Sequence, residues 1–147
     1  AKAAGAVTAV SGEQILKAIV EAAGDADQAG EKAADAKNPI EAAIGTDDDG
    51  AEFGDDMKKR NDKIAAAIVL RGVAKDGKFA VADANSKASV KSAVESAVQK
   101  TFTTLTNVVR KAVETGLKKV ADAVQKESGS SGKKASSTSS TSSTSSS

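Results

Sequence analysis

The stretch DDMKKRNDKIAAAIVL, residues 55–70, decides the fold. Apolar side chains at helical spacing lie on one face of an α-helix. The pattern therefore predicts a helix that begins at Asp55 or Asp56 and turns Lys58, Lys59 and Arg60 to solvent. Its opposite face is an apolar stripe that needs a partner, formed by Met57, Ile64, Ala65, Ala67, Ile68 and Leu70.

The segment before this stretch contains the signals of three shorter helices. Ser11 followed three residues later by Gln14 is a capping box, and Gly24 is a stop signal, so a helix is predicted between them. A short helix through residues 6–10 precedes it. Asn38 before Pro39 predicts a third helix, residues 39–44, which ends at Gly45. Residues 24–37 and 45–56 are polar and contain glycine, and are predicted to be surface loops.

The segment after residue 70 is predicted to turn at Asp76-Gly77 and to return to the core through Phe79 and Val81. From about Ser89 to Val124 the spacing is again helical. It predicts one long helix, or two joined near Gly116, with lysines and arginines on its wet face. The apolar positions are Val90, Val94, Val98, Phe102, Leu105, Val109, Val113, Leu117, Val120 and Val124.

These patterns predict an all-α fold, an elongated helical bundle with polar loops, since no strand-like alternation reaches useful length. Residues 1–127 are predicted to form one helical domain. Residues 128–147 contain 12 Ser and 3 Thr and no large apolar side chain, so a disordered Ser/Thr-rich tail is predicted. That tail is either an engineered extension or a natural surface stalk.

The composition excludes several classes of function. The 147 residues include no cysteine and no histidine, which removes thiol and imidazole catalysis and the usual zinc sites. With 21 basic and 20 acidic residues intermixed and only three aromatic residues, nucleic acid is not an expected partner. We predict that the protein is not an enzyme. No catalytic, metal-binding or cofactor-binding residue and no cofactor is predicted.

Two motifs resemble ligand loops but are incomplete. Residues 72–79, GVAKDGKF, have Phe79 where a phosphate-binding loop needs a hydroxyl, and follow a predicted helix rather than a strand. Residues 45–56 match a calcium loop at Asp47, Asp49 and Gly50, but have Gly45 at the first ligand position. We interpret the first as a helix end followed by a turn, and the second as a solvated acidic loop.

Four stretches strongly resemble the Vls and variable-large-protein family of Borrelia surface lipoproteins. They are AVSGEQILKAIV (residues 9–20), AKNPIEAAIG (36–45), GAEFGDDMKK (50–59) and IAAAIVLRGVAKDGKFAV (64–81). The last is similar to the invariant immunodominant segment of that family. ESAVQK (95–100) and GLKKVADAV (116–124) resemble its C-terminal helix, so the resemblance covers about residues 3–126.

The resemblance implies antigenic variation at the outer membrane, with host antibodies as partners and changeable loops on a fixed helical scaffold. It also implies a lipid anchor, which this sequence does not contain, and a longer parent protein of which this chain looks like a partial or cassette-derived copy. The alternative is a helical binding module that engages a host protein or a lipid through residues 89–124. Neither the antigenic type nor the oligomeric state follows from the sequence.

Overall fold

The computed structural model describes residues 2–25, 28–46, 52–79 and 84–138, with side chains described to residue 129. All regular secondary structure in these ranges is α-helical, which confirms the all-α prediction. The helices are α1 (Lys2–Ala9), α2 (Gly12–Ala23), α3 (Pro39–Ile44), α4 (Asp55–Lys58), α5 (Asn61–Val73) and α6 (Ala84–Thr138). The chain divides into two compact units, a first unit of residues 1–106 and a second unit of residues 107–147.

Helix α5 is the central element of the first unit. It packs against α1, α2, α3 and α4, and its residues 64–69 are all buried. The prediction that this helix buries only one face is therefore wrong for residues 64–69, because neighbouring helices surround it. The sequence contains the signal for this: residues 64–70 include no polar side chain, and a helix that is apolar all round is buried.

The single helix predicted from Asp55 onward is two helices, because the chain is extended at Arg60 (φ −116°, ψ 92°). The Arg60 guanidinium donates Nε to Oδ1 (2.9 Å) and Nη2 to Oδ2 (2.7 Å) of Asp62, in the first turn of α5. This hydrogen bonding lowers the pKa of the Asp62 carboxyl. The stabilising effect of the pair is thus present above the ordinary carboxyl pKa and is lost as the pH falls through the lowered one.

The predicted bounds of α2 and α3 are confirmed, whereas α1 begins at Lys2 and ends at Ala9 instead of running through residues 6–10. Ser11 Oγ accepts from the Gln14 amide (3.2 Å) while Gln14 Oε1 accepts from the Ser11 amide (2.9 Å), completing the capping box. Asn38 Oδ1 accepts from the amides of Ile40 (2.9 Å) and Glu41 (3.0 Å). Both caps satisfy amides that the first helical turn leaves without a partner.

Helix α6 begins at Ala84, before the predicted Ser89, and continues through Gly116 as one helix. In the first unit it buries Ala93, Ala97 and Thr101, whereas Val94 is only partly buried. The predicted valine stripe is therefore rotated from the face that packs most closely. Small residues face the core here because the helices approach closely: a Cβ added at Gly72 of α5 would lie 2.7 Å from Val94 Cγ1.

In the second unit the described structure consists of α6. Its predicted apolar stripe is exposed, with fractions from 54% at Val109 to 65% at Leu117, because this unit has no second described element to cover it. That residues 128–147 form a disordered tail remains a prediction; in the structure the helix extends to Thr138. A helix satisfies its backbone hydrogen bonds within its own segment and needs no partner for them. Residues 139–147 lie outside the described residues.

The predicted turn after α5 is present, since the Gly77 amide donates to the Ala74 carbonyl (3.1 Å). Asp76 adopts a positive φ of 63°, a conformation that aspartate tolerates better than most residues. Phe79 packs against the core, as predicted. Val81 lies outside the described residues.

Gly12 provides a test of the packing of α6 on α2. A Cβ at Gly12 would clash with Thr104 Oγ1 and the Lys100 carbonyl, whereas a Cβ at Gly5 of α1 would meet no atom within 4 Å. We expect Gly12→Ala to lower the free energy of unfolding by about 1–3 kcal/mol through overpacking. Gly5→Ala should instead raise it by about 0.5–1 kcal/mol. Urea denaturation followed by circular dichroism measures both, and equal effects of the two substitutions would contradict this packing.

Candidate functional site

Two polar segments of the first unit lie against each other and form a candidate site, named here the loop surface. The first segment is residues 28–37. The second is described at residues 45–46 and 52–54. The Gly54 amide donates to the Ala33 carbonyl (3.2 Å), which joins the two segments. The Glu31 amide donates to the Glu41 carbonyl of α3 (3.1 Å). These hydrogen bonds use backbone atoms of the loops, so they depend little on which side chains the loops have.

The first segment is also attached at both of its ends. Gln28 Nε2 donates to the carbonyls of Ala22 (2.8 Å) and Asp25 (2.9 Å), at the end of α2. Near the other end, Lys63 of α5 donates to the Lys37 carbonyl (2.9 Å), and Ala36 is buried. Six side chains of this segment are exposed: Ala29, Glu31, Lys32, Ala34, Asp35 and Lys37.

Glu52, in the second segment, links this surface to two helices. Its carboxylate accepts from Lys58 of α4 (3.4 Å) and from Lys2 of α1 (3.5 Å). The hydrogen bond from Lys58 and the charge of Lys2 lower the pKa of Glu52. All three side chains are exposed, so water screens these ion pairs. The adjacent Phe53, which the sequence patterns did not assign to the core, packs against it.

Arg71 of α5 binds the end of α3 and the turn that follows α5. Its Nη1 donates to the carbonyls of Ala43 (2.8 Å) and Ile44 (3.4 Å), and its Nε donates to the Lys78 carbonyl (2.6 Å). The last carbonyls of a helix have no partner within it and carry partial negative charge, so a guanidinium stabilises them. Arg71 therefore holds in place the start of the second segment of the loop surface.

Lys100 of α6 has the same role at α1. Its Nζ donates to the carbonyls of Val7 (2.8 Å) and Val10 (2.9 Å) and is half-buried. The prediction that Lys100 lies on the wet face of the long helix is therefore wrong. Local sequence contains no signal for this contact, because the bonded residues are 90 and 93 positions apart.

Of the two incomplete ligand motifs, only the first lies entirely within the described residues. Residues 72–79 are the end of α5 and a turn, as predicted. Asp47, Asp49 and Gly50 of the calcium-like loop lie outside the described residues. Within the described ranges no group of three or more acidic residues could hold a metal ion. Nor does any described helix combine the length and apolar character that crossing a membrane requires.

The geometry so far defines a class of protein: a helical scaffold on which loops are attached through backbone atoms and through the ends of helices. Comparison with known proteins identifies the family. Residues 1–124 match the family described as Borrelia lipoprotein. The chain therefore belongs to the Borrelia lipoprotein family, and the resemblance to its Vls and variable large proteins is confirmed.

Individual relatives agree with this assignment. Variable large protein 4 of Borrelia hermsii is 40% identical over 129 residues, 84% of this chain and 36% of that protein. Variable large protein 18 of the same organism is 35% identical over 126 residues, 85% of this chain and 34% of that protein. The crystal structure of the Lyme disease variable surface antigen VlsE of Borrelia burgdorferi superposes with a TM-score of 0.78 at 59% identity.

That superposition covers 82% of this chain and 45% of the VlsE chain. The chain thus spans about a third of the length of the variable large proteins that it matches and less than half of VlsE. These homologues are surface antigens. That the chain is not an enzyme remains a prediction.

Replacing Lys100 tests the contact at the end of α1. Lys100→Met keeps much of the aliphatic side chain but leaves two partly buried carbonyls without their donor. We expect the free energy of unfolding to fall by about 1–3 kcal/mol. Lys91→Met is the matched control: it removes only an exposed ion pair with Glu95 and should cost less than about 0.5 kcal/mol. Thermal or urea denaturation measures the stability of both variants. If the two variants are equally stable, the contact of Lys100 with the end of α1 does not contribute significantly to stability.

Proposed function

We propose that this chain is part of a variable surface antigen that presents exchangeable loops on a constant helical scaffold, so that host antibodies lose their target when the loops change. One observation carries the proposal: most attachments of the loop surface are made to its backbone atoms, while the side chains of Glu31, Ala34 and Asp35 are exposed and take part in none of these attachments. Substitution there leaves the attachments intact. The similarity to variable surface antigens supports the same function.

The burial of α5 supports the division of the chain into a helical scaffold and the loop surface. Residues 64–69 are inaccessible to an antibody in the folded chain. Residues 72–78, which follow in the same family-like segment, are exposed. The segment thus combines a buried part with a short exposed end, and antibodies against its two parts should differ in whether they bind the folded protein.

We extend the proposal to location and partners. The family is one of lipoproteins, so we propose that the intact protein is held at the cell surface, on the outer membrane, by a lipid anchor. Host antibodies are the proposed partners. The alternative function, a binding module that uses the long helix, remains a prediction. The exposure of Val109, Val113 and Leu117 is the observation that favours it.

Substitutions in the scaffold and in the loop surface should have different effects on stability and on antibody binding. In a double variant, Glu31→Lys with Asp35→Lys, each exposed change should alter the free energy of unfolding by no more than about 0.5 kcal/mol. Antibodies that map to the loop surface of the folded parent should lose binding, because their charge complementarity is reversed. Lys87→Glu, on the exposed side of α6, is the matched control and should leave these antibodies bound.

Ile68→Ala is the opposite case: it should cost about 2–5 kcal/mol through lost burial and the cavity that remains. Antibodies against a peptide of residues 61–70 should bind unfolded chain better than folded protein, whereas antibodies against residues 72–79 should bind both. Binding is measured by surface plasmon resonance and folding by circular dichroism. If the loop variant unfolds while Ile68→Ala does not, the proposed division is wrong.

A further inference from the structure

A second possible site is an apolar pocket within the first unit, with a volume of about 210 Å³. Ile68 of α5 and Val94 of α6 line it, together with Phe53 and Phe79 from the loops. Apart from Arg71, all the residues that line it are alanine, valine, isoleucine or phenylalanine. The pocket shares Phe53 with the loop surface and Arg71 with its attachments.

The pocket follows from the alanine-rich composition of the helices. Ala67 of α5 and Ala93 of α6 both face it, and each has a methyl group where a larger side chain would fill the space. The two phenylalanines are only partly buried and leave part of the volume open. An apolar cavity of about 150 Å³ already binds a molecule as large as benzene. A pocket of 210 Å³ has room for a somewhat longer chain.

Arg71 sets the charge that a ligand should have. Its Nε and Nη1 donate to backbone carbonyls. Among the described residues it forms no ion pair with a carboxylate. A guanidinium at the wall of an apolar pocket attracts an anionic group, and a carboxylate matches its planar donor geometry.

We propose that this pocket binds a medium-chain monocarboxylate of about six to eight carbons, the size class of octanoate. The hydrocarbon chain occupies the space between Ile68, Val94 and the two phenylalanines. The carboxylate accepts a hydrogen bond from Arg71, whose positive charge it neutralises. Both parts of the ligand are needed. The hydrocarbon chain excludes water from the pocket, and the carboxylate forms an ion pair with the Arg71 guanidinium.

Titration of the full chain with octanoate, followed by NMR, tests the proposal. Octanoate should bind saturably and at least about tenfold more tightly than octanol, because a hydrogen bond to a charged group contributes enough for that ratio. Acetate, which has the carboxylate without the chain, should not bind at the same concentrations. Because the protein has three phenylalanines and no Tyr or Trp, contacts from octanoate to the rings of Phe53 and Phe79 can be assigned.

Filling the pocket provides the matched pair of variants. Ala93→Leu places three more carbons in the pocket and should weaken octanoate binding at least tenfold, whereas Ala88→Leu adds the same atoms on the exposed side of α6 and should leave binding unchanged. Circular dichroism verifies that both fold. Absence of saturable binding, ring contacts at Phe102 instead, or equal affinity for octanol would each overturn the assignment. The ring contacts decide the location even if Ala93→Leu does not fold.

Discussion

The burial of α5 on every side is the constraint on which the rest of the first unit depends. Ala65 and Ala66 are completely buried, and Ile64, Ala67, Ile68 and Val69 nearly so. Alanine makes this arrangement possible because it combines the highest helix propensity with a small side chain, so neighbouring helices approach closely. Each alanine buries little apolar area, and stability therefore depends on how many helices pack around α5 rather than on a few large side chains.

Close packing of short helices creates a second requirement, since each helix ends with carbonyls that lack a partner. Long cationic side chains meet it: Lys100 binds the end of α1, and Arg71 the end of α3. Lys63 does the same for the loop at Lys37. The ammonium and guanidinium groups come from α5 and α6, so the helices that form the core also position the ends of the outer helices.

The loop surface follows from this arrangement. Its segments are held by backbone hydrogen bonds, by cations from the scaffold and by the side chains of Gln28 and Glu52. These attachments do not use the exposed side chains of Glu31 and Asp35. Such exposed positions tolerate substitution with little loss of stability. Gly30 and Gly54 do not, because a Cβ at either position would clash with a backbone carbonyl of the neighbouring segment. Because the attachments do not involve them, the exposed side chains at positions such as Glu31 and Asp35 can change while the fold stays the same, as the proposed function requires.

Local patterns in the sequence predict most of the helices. The capping box at Ser11, the Asn38-Pro39 start and the turn at Asp76 depend on neighbouring residues, and the structure has all three. The break at Arg60 was missed because helical spacing continues across it. The roles of Lys100 and Arg71 were also missed, since both depend on contacts between distant segments. The resemblance to the family indicated the scaffold and its loops, but not the residues that join them.

Native-state hydrogen exchange of the backbone amides, measured by NMR, tests most directly the claim that α5 is the centre of the first unit. Amides of residues 65–69 should exchange most slowly, through global unfolding, because opening α5 disrupts its packing on every neighbour. Amides of the loop segment at residues 28–37 should exchange by local opening and far faster. If α5 exchanges as fast as that loop segment while α1 or α2 remains protected, α5 is not the element on which the fold depends.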